Sequence, residues 1–319
     1  MSRLVSIIMP AKNAGNFIKQ SIDSILEQTY QEFELIVIDD QSTDNTRDIV
    51  SHYSDPRVIV VDGPGAGISA ALNVGLKHAN GEYFCRCDSD DLFPENRLKI
   101  QAEWLDQHPK YIAVCGSYSS IDSKGRHIIQ YHKNTRSRCI DSHFMDGQVI
   151  THFGTFMVKT SAMRAINGCR TFFETAEDID LQLRLSQQGA IFFLADNFYQ
   201  YRLHHFSITH SQLNSRRIFF EDYAKQCHLQ RLELGKDDLM IGRKPEIPDD
   251  IELETKTADE HITNQLISES WYWFNTGDYK QAFKSGFRLV SMSPLKWLSW
   301  RNYMLLIFKR LKQTVFELG

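Results

Sequence analysis

Four short apolar runs, Leu4–Met9, Phe33–Ile38, Val58–Val61 and Tyr83–Cys87, alternate with helix-period segments, and this alternation constrains the fold more than any other feature. Pro10 and the turn-forming Asn13-Ala14-Gly15 end the first run. Phe17, Ile18, Ser21, Ile22, Ile25 and Leu26 then recur at helical spacing behind Asn16, a suitable cap. Thr43 or Asp44 can cap a second helix toward Ser54, and Ile68, Ala71, Leu72, Gly75, Leu76 and Ala79 share one face of a third. Strands alternating with helices at this density predict a mostly parallel, Rossmann-like α/β sheet flanked by helices. In open sheets of this kind ligands bind beyond the carboxyl ends of the strands.

Acids stand at two of those ends. Asp39 and Asp40 close the second run, and Asp88, Asp90 and Asp91 crowd into four positions after the fourth. Like charges so close together are unfavourable unless a cation neutralises them, and carboxylate oxygens suit Mg²⁺ or Mn²⁺, which also takes substrate phosphate oxygens. A solvated turn capping the helix begun at Pro94 is the plainer alternative. Two acidic strand ends facing one crevice favour the metal-diphosphate reading. Gly63, Gly65 and Gly67 lack the G-x-G-x-x-G spacing, because Ile68 takes the last position, and no G-x-x-x-x-G-K-[ST] occurs.

Composition narrows the class. A net charge of −4 gives no basic field of the kind nucleic-acid binders use. The six cysteines never form C-x-x-C, so they read as reduced thiols rather than zinc ligands or disulfides. Leu4–Met9 is too short for a signal peptide, and no eighteen-residue apolar window spans a bilayer. A cytoplasmic enzyme or binding protein is expected.

Several blocks occur in order: Val5 to Pro10 with Asn13; Ile25-Leu26, Gln28-Thr29-Tyr30 and Phe33 to Asp40 with Ser42 and Asp44; Gly67-Ile68, Ala71-Leu72-Asn73 and Gly75-Leu76; and Gly81-Glu82-Tyr83, Arg86, Asp88, Asp90-Asp91, Pro94 and Arg97-Leu98. Together they resemble a family 2 glycosyltransferase with an inverting GT-A fold. Gln41 departs from the pattern, where glycine is usual, as do Cys85 and Cys87. The likeness extends to about residue 210.

The resemblance implies roles. Pro10 and Asn13 border the nucleotide, and Asp40, with Asp39 beside it, faces the base. Asp88 lies near the ribose and sugar, Asp90 is the principal metal ligand, and Asp91 supports the turn. Arg86 and Asn73 line the donor cleft. His152 stands on the strand that enters the site, although a core histidine bonded to backbone is an equal alternative. Glu177-Asp178-Ile179-Asp180 resembles the acidic-pair helix whose second acid is the general base, which makes Asp178 the base with Glu177 beside it. Acids at a helix start also complement the helix dipole without any catalysis. Tyr201-Arg202-Leu203-His204 resembles a turn that brings a histidine to the metal or diphosphate, so His204 is a second metal candidate with Arg202 alongside.

The expected domains are a catalytic domain over 1–215 (1–110 nucleotide-binding, 111–215 acceptor) and a helical C-terminal extension with a charged linker over 216–319. Residues 127–150 read as irregular. Pro294 to Gly319 mixes aromatic residues with Lys296, Arg301, Lys309, Arg310 and Lys312 against Glu317, a net of +4. Over 294–312 this suits either a helix lying on an anionic membrane, at the inner face of the cell membrane, or one docked on its own protein.

The sequence therefore predicts a Mn²⁺- or Mg²⁺-dependent inverting transferase moving a hexose from a nucleotide sugar, with UDP favoured. The acceptor is a glycan or lipid-linked hydroxyl in surface polysaccharide or glycoconjugate synthesis. A sugar nucleotidyltransferase and a non-catalytic sugar-nucleotide-binding scaffold are the alternatives.

Overall fold

The computed structural model of the chain describes residues 3–132, 135–204, 213–249, 252–254 and 257–317. Strands β1 (Val5–Ala11), β2 (Phe33–Asp39), β3 (Val58–Asp62) and β4 (Tyr83–Arg86) pair in parallel. Between them run α1 (Ile18–Leu26), α2 (Thr46–Ser51) and α3 (Ile68–His78), with α4 (Arg97–Gln107) after β4. The sheet continues through β5 (Tyr111–Asp122), β6 (His127–Gln130), β7 (Arg138–Cys139), β8 (Met157–Lys159) and β9 (Ala190–Leu203), in the order β3-β2-β1-β4-β8-β5-β9-β7 with β6 beside β5. β8 runs antiparallel to both β4 and β5, so the sheet is mixed in its second half.

Every residue of β1 and β2 is buried, which is what a strand covered on both faces requires. Alternation then divides the core. Val5, Ile7 and Met9 pack with Ile18, Ile22 and Ile25 of α1 and Leu98 and Leu105 of α4 on one side. Ile8, Ile36 and Ile38 pack with Ala71, Leu72 and Leu76 of α3 on the other. Gly75 is what lets α3 approach so closely, since a Cβ there would lie 2.2 Å from Cγ2 of Ile8.

Of the described residues, those within 1–119, 130–201 and 213–253 form one compact unit, and those within 120–129, 202–212 and 254–319 form a second. This departs from a single cut at 215/216. The helix α8 (Ser215–Leu234) belongs to the first unit because Phe220, Tyr223, Ala224 and Cys227 pack on Phe173 and Ala176. Asp237 beyond it is buried and paired with Arg170 (2.8 Å), so this part of the expected linker is anchored. The stretch read as irregular holds β6, β7 and the short helix α5 (Asp141–Met145). In the second unit α9 (Ala258–Asn275) starts on a capping box from Thr257 and Glu260. It is followed by α10 (Tyr279–Met292) and α11 (Trp297–Glu317).

Candidate functional site

The site is built where β1, β2 and β4 end. β1 lies between the other two, with Ala11 opposite Asp39 and Ile8 opposite Arg86, so both acidic turns emerge on the same edge of the sheet. Pro10 is the next-to-last residue of β1. Asn13 adopts the left-handed conformation (φ 53°), its Oδ1 accepting from the Thr43 amide (2.8 Å) while its own amide donates to Ser42 Oγ (3.0 Å). Asp39 Oδ1 accepts from the Ser42 amide at 3.2 Å, and Arg47 donates to its other oxygen at 3.3 Å. Asp40 is buried and accepts from the amides of Gly65 (2.7 Å) and Gly67 (3.2 Å). Gly67 can present its amide there because its φ of +86° carries no side-chain penalty.

At the end of β4, Arg86 is buried and grips both oxygens of Asp88, Nε to Oδ1 at 2.6 Å and Nη2 to Oδ2 at 3.0 Å. Its Nη1 donates to Glu177 Oε1 at 2.9 Å. One guanidinium therefore joins the strand-end turn to the first residue of α7 (Glu177–Leu185). Burial opposes its charge, but the carboxylates of Asp88 and Glu177 outweigh that and keep it protonated. The Asp91 amide closes the turn onto the Asp88 carbonyl (3.1 Å); Asp91 is fully buried and Asp90 partly exposed.

Glu177 and Asp178 follow Ala176, which is left-handed at φ 58°, so the chain swings abruptly into α7. Burial pushes both carboxyls above their ordinary range, while the charge of Arg86 acts the other way on each. Asp178 is further restrained by Arg217, and its own charge raises Glu177. Asp180 is buried and paired with Arg184 at 2.8 Å, an internal role.

His152 Nδ1 accepts from the Gly154 amide (3.0 Å), which fixes the remaining ring proton on Nε2. Burial lowers its pKa to about 4, so it is neutral. Its ring stacks on Tyr199 (centroids 5.2 Å apart), whose hydroxyl accepts the Asp88 amide at 3.0 Å. Tyr199 thus positions the acidic turn. No motif marked it, because it is one aromatic among several on β9 and its role depends on a partner 111 residues away.

Other expected residues have contacts of their own. Both polar atoms of the Asn73 side chain are engaged by the Cys169 backbone, each at 2.8 Å, tying α3 to the segment after α6 (Thr160–Ala165). Arg202 and His204 are buried and belong to the second unit, where Arg202 donates to the carbonyls of Asp122 and Ser123 (both 3.3 Å). The rest of that motif, from His205, lies outside the described residues.

Among the described residues no group of three or more His, Cys, Asp or Glu side chains forms a metal cage by itself. Mg²⁺ and Mn²⁺ do not require one, being held through one or two carboxylates plus phosphate oxygens and water. A turn with a partly exposed Asp90 beside Asp88 has a donor set that fits such an ion.

The mixed sheet, the acidic strand ends and the acid pair on α7 together define a GT-A nucleotide-sugar transferase fold. TarS of S. aureus, in a structure with UDP-GlcNAc, superposes with a TM-score of 0.61 over 90% of this chain and 80% of its own, and at 18% identity this likeness concerns the fold. Residues 6–169 match the family described as Glycosyl transferase family 2. EpsE of Bacillus subtilis is 35% identical over 58% of this chain and 67% of its own. The Escherichia coli enzyme WfgD, a UDP-Glc:alpha-D-GlcNAc-diphosphoundecaprenol beta-1,3-glucosyltransferase, is 46% identical over 32% of this chain and 41% of its own. The chain belongs to glycosyltransferase family 2 and is a glycosyltransferase.

Proposed function

We propose that this chain is an inverting, divalent-metal-dependent hexosyltransferase that takes a UDP-sugar and glycosylates a hydroxyl of a glycan or lipid-linked acceptor in surface polysaccharide or glycoconjugate synthesis. The observation that carries this reading is the Arg86 bridge, which couples Asp88 to the helix bearing Asp178. Asp178 takes the proton from the acceptor hydroxyl as its oxygen attacks the anomeric carbon. The bond from that carbon to the donor phosphate breaks, and its electron pair leaves with the nucleoside diphosphate. A raised carboxyl pKa brings this base nearer neutral pH, where a general base works best. Asp90 would hold a divalent cation, which would supply positive charge to the leaving diphosphate. Pro10, Asn13, Asp39 and Asp40 frame the nucleotide, and Asp88, Asp91, Arg86 and Asn73 shape the donor side. Neutral His152 and Glu177 flank the acceptor.

UDP is preferred because UDP-sugars are the donors named for both WfgD and the TarS complex. The lipid-linked acceptor named for WfgD supports work at the inner face of the cell membrane. A screen of UDP-, GDP- and dTDP-sugars with and without Mn²⁺, read as nucleoside diphosphate released, tests the donor and the metal. We expect release from a UDP-hexose only with the cation. A product that keeps the donor's anomeric configuration, seen by NMR, rules out the single displacement.

A further inference from the structure

The helix α11 is amphipathic the wrong way round for a protein interior. Its buried side is Ser299, Asn302 and Leu306. Leu306 joins Phe274 and Ala282, and Asn302 accepts from Trp271 Nε1 (2.8 Å) while donating to Ser270 (3.2 Å). The opposite face carries Trp297, Trp300, Met304, Phe308 and Leu311, one stripe at steps of three and four residues. Trp297 is 72% exposed, Phe308 65% and Leu311 61%. A helix that sends its polar side inward and its aromatic side outward pays a large hydration cost unless something apolar covers it.

Charge identifies what covers it. Arg301, Lys309 and Lys312 are exposed on the same helix, and no acid occurs from Pro294 to Lys312. A second copy meeting this face across a two-fold axis would set one row of cations against its own image. Anionic headgroups reverse that sign, and the acyl boundary beneath accepts tryptophan, phenylalanine and leucine. We infer that the Trp297/Trp300/Met304/Phe308/Leu311 face of α11 is a docking surface for an anionic lipid bilayer, with the helix lying in the headgroup plane. Among the described residues no helix is long and apolar enough to cross a membrane. This deepens the membrane-face part of the proposed function and is independent of the donor chemistry.

Flotation of the full chain with phosphatidylcholine vesicles, with and without phosphatidylglycerol, tests it. We expect binding only to the anionic vesicles. Trp300→Ser with Phe308→Ser should weaken that binding by more than about ten-fold, and each cation removed by Arg301→Gln or Lys312→Gln by about five-fold. Nucleoside diphosphate release without vesicles should not change, so failed docking and failed transferase activity are told apart. Equal binding to neutral vesicles, no binding to either, or double-variant binding equal to wild type would overturn the proposal. So would light scattering showing a dimer that the double variant turns into a monomer, since the face would then belong to a second copy.

Discussion

Arg86 holds two carboxylates in a setting where neither it nor they meet bulk water freely. Breaking a buried charge network by removing one partner leaves uncompensated charge and costs about 3–5 kcal/mol. Arg86→Met should therefore lower the melting temperature sharply and abolish transfer. Arg86→Lys should rescue part of the stability but little activity, because an ammonium cannot make the paired contact with Asp88. Differential scanning fluorimetry beside a transfer assay checks both. Asp178 behaves oppositely. Its folded pKa is raised, so its protonation favours the fold at low pH and that contribution is lost as pH rises through the folded pKa. We expect Asp178→Asn to abolish transfer yet raise the melting temperature at about pH 8, the gain closing as pH falls toward the ordinary carboxylate range near 4. A melting temperature lowered at every pH would mean that Asp178 is a structural acid. Gln41 was legible as an oddity, and the structure explains it: it is exposed and left-handed at φ 63°. A left-handed non-glycine residue costs about 1–2 kcal/mol, and glycine gives back roughly 0.4–1 through the unfolded chain. Gln41→Gly should therefore stabilise modestly in chemical denaturation.

At the scale of elements, the parallel half of the sheet was readable because its cues are local. Apolar runs of four to six residues, followed by Pro10 or by acids, and helical spacing between them mark β1 to α3 without long-range information, although β1 continues through Pro10 to Ala11 and β3 has no buried residue. The later elements were harder for the same reason. β8 has only three residues and owes its place to partners on β4 and β5, and β7 has two. Tyr199 escaped notice because its function is a hydrogen bond across the fold, which no spacing encodes. Gly75 shows how tightly the readable part is built. Its helical face was visible, but the reason for glycine rather than alanine is the distance to Ile8. Since a buried β-branched side chain has little room to turn, Gly75→Ala should destabilise by about 1–3 kcal/mol despite alanine's better helix propensity. Urea unfolding measures this, and a gain in stability would show that α3 can slide on the sheet.

For the whole molecule, one cut in the sequence could not represent how the chain is partitioned. Of the described residues, the second unit takes those within 120–129 and 202–204 as well as the last helices, so along the chain it interrupts the first unit rather than following it. Composition shifts along a sequence detect contiguous boundaries, and an interleaved one leaves no such mark. Charge is also unevenly divided: the +4 of residues 294–319 stands against −8 for the rest. The residues proposed to frame the donor, Pro10, Asn13, Asp39, Asp40, Arg86 and Asp88, all fall in the first unit, so donor binding there would act on the larger part of the fold. Ligand binding to the native state alone adds about 2.7 kcal/mol at a hundred times its dissociation constant. For a chain of this size that corresponds to a rise of roughly 4 °C. UDP with Mn²⁺ should produce such a rise, UDP alone a smaller one, and the pair should lose most of its effect in Asp90→Ala. An equal rise with and without Mn²⁺ would separate nucleotide recognition from the cation and leave Asp40 and Asn13, rather than the Asp88–Asp91 turn, as the groups that hold the donor.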